Sequence, residues 1–212
     1  MTGPRDRLAR IQSAYMTAVR DAAGRAMARL GNTRVTPNML SAAGLLLCIA
    51  GSVLVYFEYR AWWLFLAGSF VFFVGSVLDI LDGALARSGG KGTPFGAFVD
   101  STVDRVGEGF MLGAIALVLM REGNEWAVAL TIAAVAGSFL VSYTRAKAEL
   151  LGLKGDVGFA GRAERVAMIC IGVACGSVGG LPWLVVALAA SAWITVVQRM
   201  LSVRAQLKGR AH

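Results

Sequence analysis

Residues 79–104 read DILDGALARSGGKGTPFGAFVDSTVD and place four aspartates beside two segments that are apolar enough to cross a membrane. If both segments are helical, Asp79 and Asp82 lie three residues apart and Asp100 and Asp104 lie four apart, so each pair projects from one helix face. Ionisable groups at membrane depth are costly and usually functional. The spacing therefore predicts a cluster of carboxylates between two facing helices.

A cluster of four carboxylates needs a cation, because close carboxylates otherwise raise one another's pKa. Oxygen ligands without His or Cys favour Mg²⁺, Mn²⁺ or Ca²⁺. Gly83 and Gly96 lie on the same faces and let a backbone or a phosphate come close, and Arg87 carries a guanidinium suited to phosphate oxygens. The stretch thus indicates a metal site that handles phosphate. The alternative, that the aspartates only cap helices, fits poorly because a cap uses one aspartate per helix end.

The composition indicates an integral membrane protein of one domain, since 57% of the 212 residues are hydrophobic and the mean hydropathy is +0.64. Cys48, Cys170 and Cys175 lie in apolar runs, which favours packing over a disulfide or a metal role. His212 is the only histidine, so histidine-ligated zinc is excluded. Residues 1–36 are polar and basic, and no cleavable signal peptide is expected.

The apolar pattern predicts an all-α fold with six transmembrane helices preceded by an N-terminal amphipathic surface helix. Arginines alternate with apolar residues over 4–31, which favours a helix lying on lipid headgroups. We expect residues 1–36 to form a cytoplasmic juxtamembrane helix, residues 37–206 the membrane domain and residues 207–212 a basic tail. The predicted spans cover about 38–57, 61–86, 95–120, 126–148, 163–180 and 182–203.

The distribution of basic residues predicts the orientation. With six spans, 19 of the 21 Lys and Arg residues fall on one side, and only Arg60 and Arg121 fall on the other. The positive-inside rule then places both termini and the motif on the cytoplasmic side of the cell membrane. The net charge of +8 is explained by this topology and by anionic lipid, so we expect no nucleic-acid partner.

The motif resembles the signature of the CDP-alcohol phosphotransferase (CDP-alcohol phosphatidyltransferase) family, D-x-x-D-G-x-x-A-R-x8-G-x-x-x-D-x-x-x-D. Every fixed position is filled, by Asp79, Asp82, Gly83, Ala86, Arg87, Gly96, Asp100 and Asp104. The resemblance implies an enzyme that moves a lipid phosphate from a CDP-activated lipid to an alcohol and releases CMP. It implies two Mg²⁺ ions, with Mn²⁺ possible, held by the four aspartates, and Asp104 as general base.

The resemblance also suggests contacts to the lipid donor. Gly83, Arg87 and Thr93 are candidates within the motif. The segment from Thr36 and Pro37 to Asn38 and Met39 opens the first span, and a similar segment borders the nucleotide site in the family. A plain helix start is the open alternative for these four residues, because Thr36 can cap and Pro37 suits a first turn.

Within the family, the chain is similar to the branch that makes phosphatidylinositol phosphate in actinobacteria and to its archaeal ether-lipid counterpart. By that resemblance Ser142, Arg145, Arg165 and Arg199 would hold the phosphate of inositol phosphate. The order Arg145 then Lys147 reverses the usual one, and Gly161 replaces a common acidic residue. For the other basic residues nearby, the alternative is that they only follow the positive-inside rule and bind no substrate.

Several alternatives stay open at this stage. The acceptor could be glycerol 3-phosphate, and the donor could carry archaeol in place of diacylglycerol. Intramembrane carboxylates also mark cation transporters, although no matching pair of broken helices follows in the second half of the chain. Glu108 continues the aspartate face and either supports the ligands or pairs with Arg105. A homodimer is expected from the family, and Gly107, Gly109 and Gly113 would permit close packing.

Overall fold

The described part of the chain folds into six α-helices. A computed structural model describes residues 37–88 and 93–210, with side chains for residues 38–79 and 93–210. The helices are α1 Pro37–Tyr56, α2 Trp63–Ser88, α3 Pro94–Arg121, α4 Glu125–Leu150, α5 Arg162–Ala174 and α6 Leu181–Arg210. No strand occurs in these ranges. The predicted amphipathic helix within residues 1–36 lies outside the described residues.

Helices α1 and α2 run antiparallel and touch through two pairs of glycines, which we call the glycine seam (Gly44, Gly51, Gly68 and Gly75). A Cβ added to Gly51 would lie 2.7 Å from the carbonyl oxygen of Gly68, and one added to Gly75 would lie 2.7 Å from that of Gly44. The glycines of each helix are seven residues apart and therefore share a face. Only residues without a side chain allow backbones this close.

Helix α3 lies at the centre of the bundle. Its residues Ile115 and Val118 are fully buried in an apolar cluster that also contains Phe72 of α2, Ile169 of α5 and Val185 of α6. Because protein interiors are close-packed, this cluster fixes α3 against three neighbours. The N-terminal part of α3, which carries the second half of the motif, is thereby held against the end of α2.

Three of the helices are long and apolar enough to cross a membrane, namely Asn38–Tyr56, Glu125–Leu150 and Leu181–Arg210. The apolar part of α2, Trp63–Asp79, is shorter. The all-helical membrane fold predicted from the sequence is confirmed at this level, because helices satisfy their own backbone hydrogen bonds in lipid.

Helix α5 is shorter than the predicted fifth segment over 163–180. It ends at Ala174 and is followed by a 3-10 turn, Gly176–Val178, and by Gly179 at φ +78°. A Cβ on Gly176 would lie 2.7 Å from the ring of Phe65, so the chain turns where only glycine fits. Glycines at 176, 179 and 180 end the helix although the sequence there stays apolar.

The segment 151–161 between α4 and α5 is tied to α6 by side chains of that helix. Gln206 accepts from the backbone N–H of Lys154 and donates to its carbonyl, at 2.9 and 3.0 Å. Arg210 donates to the carbonyls of Leu151 and Gly152. Helix α6 therefore continues to Arg210, past the predicted end of the sixth span at about residue 203, because its last turns have partners.

Candidate active site

The ends of α2 and α3 bring together three of the four predicted metal ligands. Asp79, Asp100 and Asp104, which we call the carboxylate cluster, each offer an oxygen within 4.8 Å of the others. The side chains of Asp79 and Asp104 are only 5% and 8% exposed. They line a cavity of about 20 Å³, room for one water molecule or ion. Asp82, the fourth predicted ligand, has a side chain outside the described residues.

The carboxylate cluster fits a divalent cation. Within the described part of the chain, Asp79 Oδ2 and Asp104 Oδ1 are buried and make no hydrogen bond apart from their contact with Arg162. Buried carboxylates are tolerated when they are paired or coordinate a metal. Three hard oxygen donors from two helices match the ligand preference of Mg²⁺ and Mn²⁺. The remaining coordination positions would be filled by water or by substrate oxygens.

A basic residue that the sequence did not single out lies on the cluster. Arg162, the first residue of α5, forms ion pairs with Asp79 Oδ2 and Asp104 Oδ1 through the same nitrogen, Nη2. Arg105 reaches Asp104 from α3, with Nη1 at 3.4 Å from Oδ2. Arg162 lies three residues before Arg165 in the sequence Arg-Ala-Glu-Arg, but the family resemblance assigns a role only to Arg165.

Arg165, one turn after the start of α5, is bound by Glu108 of α3. Its Nε lies 2.8 Å from Glu108 Oε1 and its Nη2 lies 3.1 Å from Oε2, a bidentate geometry that fixes the guanidinium plane. Both side chains are buried, at 3% and 7% exposed. Nη1 points to the carbonyl of Ala160 at 3.5 Å. Glu108 therefore supports the neighbourhood of the cluster by holding Arg165.

The other predicted acceptor residues lie along α4 and α6. Arg199 donates to the carbonyls of Val157 and Val141, and so joins α6 to α4 and to the 151–161 segment. Arg145 is exposed and pairs with Glu149 at 2.8 Å. Arg145 and Arg165 are both near enough to interact electrostatically with Arg199.

Ser142 is half-buried one turn before Arg145 on α4, and its hydroxyl donates to the carbonyl of Ser138 at 3.4 Å. The three predicted acceptor arginines thus form one basic region with Ser142 on its α4 side.

Of the predicted donor contacts, Asn38, Met39 and Thr93 can be placed. Thr93 caps α3 by accepting from the N–H of Gly96 at 2.9 Å. A Cβ on Gly96 would lie 3.7 Å from Asn38 Oδ1, so the start of α1 adjoins the start of α3. Met39 is 57% exposed. Thr36 and the side chains of Pro37 and Arg87 lie outside the described residues, and Gly83 is described only as part of the helical backbone of α2.

The comparisons with known proteins agree with this fold and site. The sequence profile of the CDP-alcohol phosphatidyltransferase family matches residues 34–203. Archaetidylinositol phosphate synthase of Pyrococcus horikoshii is 39% identical over 188 residues, which cover 87% of this chain and 90% of that protein. Phosphatidylinositol phosphate synthase of Mycolicibacterium smegmatis is 34% identical, with 80% and 78% covered.

Crystal structures of Mycobacterium tuberculosis phosphatidylinositol phosphate synthase share the fold. One, in complex with manganese and citrate, matches with a TM-score of 0.76 at 29% identity and covers 85% of this chain and 88% of that chain. Another, with CDP-DAG bound, also has a TM-score of 0.76.

Fold and site together define a membrane-embedded transferase with a divalent-metal centre. The chain belongs to the CDP-alcohol phosphatidyltransferase family. This membership decides against the cation-transporter alternative.

Proposed function

We propose that the protein transfers a phosphatidyl group from CDP-diacylglycerol to inositol 1-phosphate, giving phosphatidylinositol phosphate and CMP. The observation that supports this acceptor is the position of Arg165, one helical turn from the Arg162 that contacts the carboxylate cluster and within electrostatic range of Arg199. A basic region near the metal site suits an acceptor that carries its own phosphate, because guanidinium groups bind phosphate oxygens. The two named enzymes that resemble the chain both make an inositol phosphate lipid and differ in the lipid part of their names.

The chain's own residues have distinct roles in this proposal. Asp79, Asp82, Asp100 and Asp104 hold two Mg²⁺ or Mn²⁺ ions. When bound, these ions neutralise charge on the leaving phosphate and align the reacting groups. Asp104 accepts the proton of the acceptor hydroxyl, whose oxygen attacks the phosphorus that bears the lipid. The bond from that phosphorus to the CMP oxygen breaks, and CMP leaves.

The substrates are positioned from two sides of the cluster. Gly83, Arg87 and Thr93, with Thr36, Pro37, Asn38 and Met39, face the CDP-lipid donor in this proposal. Ser142, Arg145, Arg165 and Arg199 hold the acceptor phosphate. Support comes from the placement of Asn38 beside Gly96 and of the basic region on α4 to α6.

We propose six spans with both termini and the active site on the cytoplasmic side, preceded by the amphipathic helix within residues 1–36. The six helices and the charge asymmetry of the sequence support this topology. For a homodimer, Gly113 is the favoured contact, since no atom of the described residues lies within 4 Å of a Cβ built there. Gly107 already packs against Cys48 within the chain.

The first test is CMP release by the purified full chain with CDP-diacylglycerol and Mg²⁺. Inositol 1-phosphate, free inositol and glycerol 3-phosphate are offered in parallel, with Asp104→Asn as control. We expect turnover with inositol 1-phosphate alone and a loss of about 10³-fold or more in Asp104→Asn, the scale of removing an essential charged group. Turnover only with glycerol 3-phosphate would overturn the acceptor and keep the chemistry.

CDP-archaeol is a second candidate donor, because the archaeal relative is named for an archaetidyl product. The same assay with CDP-archaeol separates the two donors. CMP release from CDP-archaeol but not from CDP-diacylglycerol would change the lipid and leave the acceptor in place.

A further inference from the structure

Arg162 occupies a position at the carboxylate cluster that the proposed reaction does not use. Its Nη2 lies against Asp79 Oδ2 on α2 and Asp104 Oδ1 on α3. Both oxygens are buried, and in the described part of the chain neither makes a hydrogen bond apart from this contact. One cationic nitrogen therefore bridges two carboxylates that belong to different helices and that are both predicted metal ligands.

A guanidinium and a divalent cation cannot hold these oxygens together. Both would lie against the same two buried oxygens, and two positive groups at that separation repel each other strongly in a buried site. The oxygens are buried, whereas 32% of the Arg162 side chain is exposed. The guanidinium thus has a route toward water along a flexible side chain, while the carboxylates stay on their helices.

The backbone that carries Arg162 is anchored and need not move for this exchange. The N–H of Phe159 donates to Gln198 Oε1 and that of Ala160 donates to Thr195 Oγ1, both at 3.0 Å. Three residues later, Arg165 is fixed by Glu108. A change at the cluster is therefore confined to the Arg162 side chain.

We propose that Arg162 is an exchangeable counter-ion of the carboxylate cluster, which neutralises Asp79 and Asp104 and leaves them when a divalent metal binds. The inference rests on the proposed metal site, where the Arg162 guanidinium would compete with the metal ion for Asp79 and Asp104. The released guanidinium lies one helical turn from Arg165, where it can bind phosphate oxygens of a substrate. Metal and phosphate then each strengthen the binding of the other, because such coupling is reciprocal.

Arg105 provides a matched comparison. It carries the same charge at the same cluster and is similarly exposed, at 31% for its side chain. Its Nη1, however, donates to the carbonyl of Ser101 on its own helix and reaches the other oxygen of Asp104, Oδ2, at the longer distance of 3.4 Å. Arg105 therefore contributes positive charge without bridging the two buried ligand oxygens.

The experiment is Mn²⁺ binding to the full chain in detergent without substrates, followed by the electron paramagnetic resonance signal of free Mn²⁺. We expect Arg162→Gln to tighten Mn²⁺ binding about 10-fold, a common size for coupling between two ligands. Arg105→Gln should tighten it by less than about 3-fold, the residual effect of one nearby charge. An unchanged or weaker affinity in Arg162→Gln, or an equal gain in Arg105→Gln, would overturn the exchange.

Two further variants keep the result interpretable. Arg162→Lys retains the positive charge but loses the planar guanidinium, so we expect a smaller gain in Mn²⁺ affinity than in Arg162→Gln. This variant replaces Arg162→Gln in the experiment if Arg162→Gln does not fold. Asp104→Asn tests the metal site itself. If the wild type binds no Mn²⁺, or Asp104→Asn binds it equally well, the proposed metal site fails. If only the Arg162 variants show no gain, the exchange alone fails.

Sulfate, used as a probe for phosphate, tests the coupling. Replacing chloride with sulfate at equal ionic strength should tighten Mn²⁺ binding to the wild type more than to Arg162→Gln. An equal gain in both proteins would show that the released guanidinium does not bind the anion.

Discussion

The glycine seam and the charged contacts of α5 hold the same active site from opposite sides by different means. In the seam, α1 and α2 meet backbone to backbone, with Cβ positions that would lie 2.7–2.9 Å from carbonyl oxygens of the partner helix. At α5, long side chains cross the gap, through Arg162 to the carboxylate cluster and through Arg165 to Glu108. The glycine seam has no side chains that could rotate, whereas the arginine side chains of α5 each have several rotatable bonds.

This difference suggests a division of labour. The seam passes directly beneath a ligand, since a Cβ on Gly44 would lie 3.6 Å from the Cβ of Asp79. Metal ligands need a rigid support, because catalytic geometry tolerates only small displacements. On the α5 side, the Arg162 side chain is 32% exposed and can change partners. The comparison can be tested by damaging each side separately.

The largest effect is expected from Glu108→Ala on the charged side. It leaves the Arg165 guanidinium buried without its partner, and breaking one half of a buried ion pair costs about 3–5 kcal/mol. Thermal unfolding in detergent should therefore shift to markedly lower temperature. Glu108→Gln keeps an oxygen that can accept a hydrogen bond from Arg165, so it should lower the unfolding temperature less. It should raise the KM for the acceptor substrate more than it lowers kcat. A variant with normal KM would show that Arg165 does not bind the acceptor.

The next effect concerns the glycine seam, where Gly44→Ala places a methyl 2.9 Å from the carbonyl oxygen of Gly75 and Gly51→Ala places one 2.7 Å from that of Gly68. Overpacking of this kind costs about 1–3 kcal/mol, so both should lower the unfolding temperature. Only Gly44 adjoins Asp79, whereas Gly51 adjoins Phe72. Gly44→Ala should therefore also weaken Mn²⁺ binding and CMP release.

Gly209→Ala in α6 is the matched control for the seam, because the added methyl meets no atom of the described residues within 4 Å. It should leave stability unchanged or slightly raised, since alanine favours helix. Equal losses of metal binding in Gly44→Ala and Gly51→Ala would show that the seam is a general support and does not position Asp79 in particular.

The sequence predicted more of the carboxylate cluster than of the α5 contacts. Asp79, Asp100 and Asp104 could be grouped because spacing along a helix determines which side chains share a face, and the structure brings these three together. The helix boundaries of α1 to α4 followed from apolar length and turn residues. Local pattern carries no information on contacts such as Arg165 with Glu108, 57 residues apart, or on the choice of Arg162 over Arg105 as the bridge. Those depend on how α5 docks on α3.

The smallest effect tests whether burial, and not charge alone, makes the α5 contacts important. At the opposite end of the bundle, Arg121 pairs with Glu58 at 3.2 Å, but the side chains are 34% and 19% exposed. Arg121 also donates to the carbonyl of Tyr56 at 2.7 Å and lies over the rings of Tyr56 and Tyr59. Glu58→Gln should therefore cost only about 0.5 kcal/mol, as for most exposed ion pairs, and leave CMP release unchanged. A loss of stability as large as that of Glu108→Ala would mean that an exposed ion pair contributes as much as a buried one. Burial would then not explain the difference between the glycine seam and the α5 contacts.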